Sequence, residues 1–243
     1  MEIEEVAEGI WFVQTDVVNW IVLVEGERVA LIDAGYPGQA DLVEESVRRA
    51  GATPDRVEAL VLTHHHVDHT GSMPALAARG VRVLAGADEI PLLRGDRLES
   101  ATPFDVLLRS WRPRVLRWGL HVARLGGAGH PRVSTVEAVS PGRPLDVARG
   151  PVPVTLPGHT SGHTAYHFPH QRIVVTGDAL VTGHAISAAT GPQVIDDFFH
   201  HDPARVRATL PDLASLDARA VLPGHGPLAR IPVARAVDEA LRA

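Results

Sequence analysis

No cysteine occurs among the 243 residues. Its absence excludes disulfides, thiolate nucleophiles and cysteine-ligated zinc together, and it leaves histidine and carboxylate as the only strong metal ligands on offer. A positive surplus is missing as well: 23 basic residues against 29 acidic ones give a formal net charge of −6. A general electrostatic footprint for nucleic acid or an anionic membrane is therefore not expected. No apolar run is long enough to span a bilayer, and the opening MEIEEVAEGIWF has neither the basic nor the apolar segment of an export leader. These exclusions lead us to expect a cytoplasmic chain acting on a small molecule, with no nucleic-acid or membrane partner; homo-oligomers are compatible with them. What the chain does have is 45% apolar residues, enough for a sizeable core, and 14 histidines.

The segments IWFVQT, NWIVLV and RVALID read as strands, after which QADLVEESVRRAG has helical spacing, ALVLTH returns to strand, MPALAARG is a short helix ended by Gly80, and VRVLAG is a strand. A comparable succession follows residue 140: VPVTL, TAYHF and RIVVTG as strands, PARVRATLPDLASLD as a helix, AVLPG as a last strand. This is α/β grammar in two halves, suggesting two layered units packed face to face. Between them, roughly residues 88–135, lies a helical insertion. Phe104, Leu108, Trp111, Val115, Trp118, Val122 and Leu125 step by four and three along one helical face, and Pro113 is expected to kink it or start a new helix. From Val106 to Val136 no acidic residue occurs, while Arg109, Arg112, Arg114, Arg117, Arg124 and Arg132 are basic. Two readings stand: a lid with a solvated arginine face, or a site for an anionic group of the substrate.

Four histidines and an aspartate fall within six positions in THHHVDHTG, residues 63–71. Side chains alternate along an extended segment, so His64 and His66 can face one ion while His65 points elsewhere. Asp68 and His69 are adjacent and can share an ion only if the chain turns there. A zincin pairing of His65 with His69 fails, because the required Glu after the first histidine is His66. Three further candidates, His159, Asp178 and His225, each follow an apolar strand through glycine, and ligands gather outside strand carboxyl ends in layered α/β proteins.

Taken together, these motifs resemble the metallo-β-lactamase-fold hydrolases. The HxHxDH signature stands as His64, His66, Asp68 and His69, and the later single histidine, bridging aspartate and final histidine stand in family order as His159, Asp178 and His225. The resemblance runs from VALIDAG near residue 30 to LPGHG near residue 225 and is similar to the dinuclear arrangement of glyoxalase II. It implies a single α/β domain spanning 1–243, a four-layer αββα sandwich with the 88–135 insertion over a two-metal cleft. It further implies that His64, His66 and His159 hold one metal, that Asp68, His69 and His225 hold the second, and that Asp178 bridges both. Asp33 in LIDAG matches a supporting position of the metal loop, and His163 is expected to stabilise the loop. The remaining histidines, His200 among them, are expected to be ordinary polar or partly buried residues, with His184 near enough to Asp178 to line the pocket.

A donor set of nitrogen and oxygen suits two zinc ions, with manganese and iron as the other candidates. The implied chemistry is hydrolysis of an ester, thioester or lactone by hydroxide made from a water shared by the two ions, with Asp68 as the catalytic carboxylate that orients it and takes up a proton. Glyoxalase II relatives carry a helical glutathione-binding domain after the last histidine, whereas here eighteen residues follow His225, so a glutathione thioester is not expected. Lactonases of the fold have a tyrosine three residues beyond the bridging aspartate; here that position is Val181. The rivals are a mononuclear iron persulfide dioxygenase of the same fold, a phosphodiester hydrolase, and a metal-holding scaffold without activity.

Overall fold

The computed structural model describes all 243 residues. In chain order the elements are β1 (Glu2–Ala7), β2 (Ile10–Gln14), β3 (Asn19–Glu25), β4 (Arg28–Ile32), α1 (Ala40–Arg49), β5 (Val57–Val61), α2 (Val67–Thr70), α3 (Met73–Ala78), β6 (Arg82–Ala85), α4 (Ile90–Arg94), α5 (Pro103–Arg109), α6 (Pro113–Arg124), β7 (Glu137–Ala138), β8 (Val152–Thr155), β9 (Thr164–Phe168), β10 (Ile173–Gly177), α7 (Pro203–Thr209), β11 (Ala220–Pro223) and α8 (Val233–Ala240). They build a seven-stranded sheet in the order β1-β2-β3-β4-β5-β6-β7 and a four-stranded sheet in the order β11-β10-β9-β8. β1 to β4 are antiparallel, β4 to β7 run parallel, and β10 pairs parallel with β11.

The alternation of side chains explains why the strands read as unbroken apolar runs. Along β3, Trp20 and Val22 face one core while Ile21 and Leu23 face another; β4 divides Val29 and Leu31 from Ala30 and Ile32 in the same way. The first core lies under α1, α3 and α6. The second fills the space between the sheets, where Ile21, Ile32 and Val61 meet Tyr166, Phe168, Val175 and Leu222. A third joins Val174 and Val221 to α8 through Val233, Ala236, Val237 and Ala240. Helix, sheet, sheet and helix therefore stack as four layers, as the resemblance implies. Trp20 is fully buried and its indole donates to Ser46 Oγ at 3.0 Å, fastening α1 to the sheet. No helix is long and apolar enough to cross a membrane.

Several details depart from the sequence reading. β1 is not among the expected strands; its run of Glu2, Glu4 and Glu5 hides the alternation, and the charge suits an edge. The helix expected over 203–217 stops at Thr209, because Pro211 has no amide to continue the ladder, and a 3-10 turn covers Leu210–Ser215. α8 is a further addition. Pro113 begins α6 and holds Arg112 extended at φ −80°, ψ 115°, so α5 and α6 are separate helices on either side of 110–112.

Candidate metal centre

All seven candidate ligands converge at the carboxyl ends of the strands. Asp33 follows β4, His64 to His69 follow β5, Asp178 directly follows β10, and His225 follows β11. α2 supplies the turn that Asp68 and His69 require. Nε2 of His159 lies 3.1 Å from His64 Nε2 and 2.9 Å from His66 Nδ1. On the other side, Nε2 of His225 is 3.1 Å from Asp178 Oδ2 and 3.4 Å from Asp68 Oδ2, and Nε2 of His69 is 3.3 Å from Asp178 Oδ1. Asp178 stands between the groups, with its Oδ2 also 3.6 Å from His159 Nε2 and 4.0 Å from His64 Nε2. Three sets lie close enough to share a cation: His64, His66 and His159; His64, His69 and Asp178; Asp68, His69 and His225.

Each of the five histidines spends its other ring nitrogen on an outward partner. His66 Nε2 donates to Glu99 O at 2.7 Å, His69 Nδ1 to Asp33 Oδ2 at 2.8 Å, and His225 Nδ1 to Val17 O. His64 Nδ1 meets Thr63 Oγ1 at 3.0 Å and His159 Nδ1 meets His200 Nδ1 at 2.9 Å. A carbonyl or carboxylate partner demands a proton on the outer nitrogen, which leaves the inner lone pair free to coordinate. Asp33 anchors this shell, accepting also from Thr63 N and Thr63 Oγ1, both at 2.8 Å, from a left-handed backbone at φ 65° that aspartate tolerates. Asn19 on β3 donates through Nδ2 to Pro223 O and Gly226 O, pinning the loop that carries His225. Gly224 is required there, since a Cβ would overlap Asp178 Oδ1 and lie 2.9 Å from His69 Cε1.

Electrostatics divide the histidines in two. Burial first, then neighbouring imidazoles, holds His64 and His159 well below the usual range, and burial takes His66 to about 4. They are neutral imidazoles at pH 7, the form that coordinates a metal. Burial alone would depress His69, but Asp178, Asp33 and Asp68 around it outweigh that and push it well up; the same balance raises His225. Asp178, which burial would raise, is held well below the carboxylate range by His225 and His69. His69 Nε2 and Asp178 Oδ1 are fully buried yet have no hydrogen-bond partner. Buried orphans of this kind are costly, and a shared cation satisfies both. The donor set therefore fits a divalent metal.

Other residues take positions as expected or newly acquire one. His65 turns away, its Nδ1 3.2 Å from Glu89 Oε2. His163 contacts the amide of Asp178 through Nε2 at 3.2 Å, a loop-stabilising position, and His184 lines the cavity against His225. His200 is buried and, beyond the expectation, backs His159. Tyr36, Glu89 and Glu99 also escaped the sequence reading; the first announces itself only by following Asp33 in DAGYP. Tyr36 lines the cavity, its phenol kept well above its usual range by burial and then by the charges of Asp68 and Asp178. Val181, by contrast, is buried and bridged to Gln193, away from the cavity.

One cavity of about 330 Å³ has His66, Asp68, His159, Asp178 and His225 in its floor, with α5 and α6 supplying much of the wall. Of the six arginines only Arg132 lines it. Arg112 pairs with Asp196 at 3.0 Å, Arg114 donates to Ser187 O at 2.6 Å, and Arg109 lies 4.4 Å over the Phe198 ring. These three clamp the helices to the 187–198 loop.

This fold and donor set define a metal-dependent hydrolase. The family model described as the metallo-beta-lactamase superfamily matches residues 13–225, and the chain belongs to that superfamily. It is 24% identical over 251 residues to a probable metallo-hydrolase, YflN, of Bacillus subtilis (strain 168), covering 91% of this chain and 85% of that protein. It is 30% identical over 200 residues to a hydroxyacylglutathione hydrolase of Fuscovulum blasticum, covering 82% of this chain and 57% of that one. The chain spans 57% to 60% of the length of three hydroxyacylglutathione hydrolases that it matches. The crystal structure of a metallo-beta-lactamase family protein from Thermus thermophilus superposes with a TM-score of 0.69 at 25% identity, covering 96% of this chain and 78% of that one.

Proposed function

We propose that the chain is a dinuclear hydrolase, zinc-dependent by preference, that cleaves a carboxylic ester, thioester or lactone. Its catalytic unit spans 1–243, with residues 88–135 as a helical roof. The observation that carries this reading is the ring of outward hydrogen bonds leaving five imidazole lone pairs and two carboxylates aimed at one small volume. His64, His66 and His159 would hold one ion and Asp68, His69 and His225 the other, with Asp178 reaching both groups of residues. When bound, the ions supply Lewis acidity that brings water toward ionisation at neutral pH and polarises a carbonyl. The chain's own groups do the rest. Asp68, at the cavity floor, orients the attacking water and takes its proton. Tyr36 lines the same cavity and stays protonated, because burial and the neighbouring Asp68 raise its phenol. The proton then passes to the leaving oxygen or sulfur, releasing acid and alcohol or thiol.

Elemental analysis tests the reading. Two transition-metal ions per chain are expected, with His66→Ala losing the first and His65→Ala keeping both, since His65 faces Glu89. A constant single iron with oxygen uptake on a persulfide, or equal metal loss in the two variants, would overturn it.

A further inference from the structure

α5 buries none of its residues. Phe104, Leu107, Leu108 and Trp111 are 64%, 65%, 57% and 80% exposed, and Leu116 and Leu120 of α6 are 46% and 54% exposed. Large apolar side chains clustered on one solvent-facing surface mark a binding site. The cluster is not separate from the metal centre, because Leu107, Leu116 and Leu120 belong to the wall of the same cavity that has Asp68 and Asp178 in its floor. Gly119 makes that wall continuous: a Cβ there would stand 3.1 Å from Val106 Cγ1, so α6 approaches α5 closely at this point.

We infer that the missing partner is the hydrocarbon tail of the substrate, which makes the enzyme an esterase or thioesterase for medium- to long-chain fatty acyl groups. The inference rests on the hydrolase reading above. The reacting carbonyl lies at Asp68 and His66, and the acyl tail runs past Trp118, out between Leu107 and Leu120. Water adds to the carbonyl, the C–O or C–S bond breaks, and the proton goes to the leaving atom. Charge distribution agrees: with Arg109, Arg112 and Arg114 engaged at the 187–198 loop, the cavity wall offers Arg132 alone for a polyanionic head. An apolar tail needs none.

Two measurements on the native, metal-bearing protein test this. On p-nitrophenyl esters with acyl chains of increasing length, kcat/KM should rise about fourfold for each added methylene until the tail fills the cavity, through KM more than kcat. In calorimetry, dodecanoate should bind at least a hundredfold more tightly than butyrate. Leu107→Gln with Leu120→Gln, exposed enough to spare the fold, should at least halve the logarithmic slope in both assays, whereas Leu42→Gln on α1 should leave it intact. If esters turn over with no dependence on acyl length, or if the slope follows the alcohol side alone, the inference fails and the hydrolase reading survives. If neither these esters nor the matching acyl thioesters and lactones turn over while dodecanoate keeps its advantage, the hydrolase reading fails and the acyl site stands. A dimer that Leu107→Gln and Leu120→Gln dissociate, with no chain-length slope, would assign the face to a second copy instead.

Discussion

Asp33→Asn isolates what a carboxylate beside a candidate metal ligand contributes. Asp33 is buried, its Oδ1 accepts from Thr63 N, and its Oδ2 accepts from Thr63 Oγ1 and His69 Nδ1, all at 2.8 Å. Asparagine tolerates the left-handed backbone at φ 65°, so the loop is spared the strain that Ala would add. It keeps an oxygen for the Thr63 amide, and the Thr63 hydroxyl can rotate to accept. At His69 the change is a collision of donors, because an amide NH2 now faces the ring N–H. The imidazole relieves it by moving its proton to Nε2, the nitrogen aimed at Asp178, and so gives up its lone pair to coordination. A hydrogen bond to a charged group contributes about 1.5–3 kcal/mol, which corresponds to a loss of about 10- to 150-fold in affinity for the ion held by Asp68, His69 and His225. The ion at His64, His66 and His159 should change far less. Competition against a chromophoric chelator resolves the two binding steps. If the weaker step stays within twofold of the parent protein, the proton-placement argument is refuted.

Glu89→Gln should alter the pH dependence of stability. Burial, ahead of the opposing bond from Thr160, pushes the Glu89 carboxyl from 4.5 up to about 7. Because the folded value is raised, its contribution is complete below pH 4.5 and is lost as pH rises through about 7, a change worth up to about 3 kcal/mol. In urea unfolding of chelator-treated protein, the variant should show a flatter profile between pH 5 and 8; parallel profiles would refute the assignment. Gly224→Ala should fold, by far-ultraviolet circular dichroism, yet bind less than one ion per chain, since the new methyl takes the space of Asp178 Oδ1. Two ions in that variant would show that the loop has room the structure denies it.

The sandwich was legible because its central strands are buried on both faces, so NWIVLV, RVALI and IVVTG stand out as short apolar runs. The candidate ligands stood out because each follows such a run through a tight turn. Pro113 announced the break between α5 and α6 for a local reason, the steric limit it sets on Arg112. What escaped depends on partners far apart in the chain. His200 lies 41 residues from His159, and Glu99 contributes a backbone carbonyl to His66 from 33 residues away, a role independent of its side chain. Nothing in local composition distinguishes such a histidine or such a carbonyl.

The arginine run shows the same limit from the other side. Six arginines without an acid between Val106 and Val136 look like a surface waiting for an anion when read along the chain. In the fold, the acceptors for Arg112 and Arg114 come from Asp196 and Ser187 O, 84 and 73 residues onward. Charge neutralisation acts over a few ångströms and takes no account of sequence distance. The same helices leave their apolar residues, rather than these arginines, beside the metal centre. These helices therefore carry two chemistries: cations that fasten them to the neighbouring loop, and exposed apolar side chains, Leu107 and Leu120 among them, on the cavity wall.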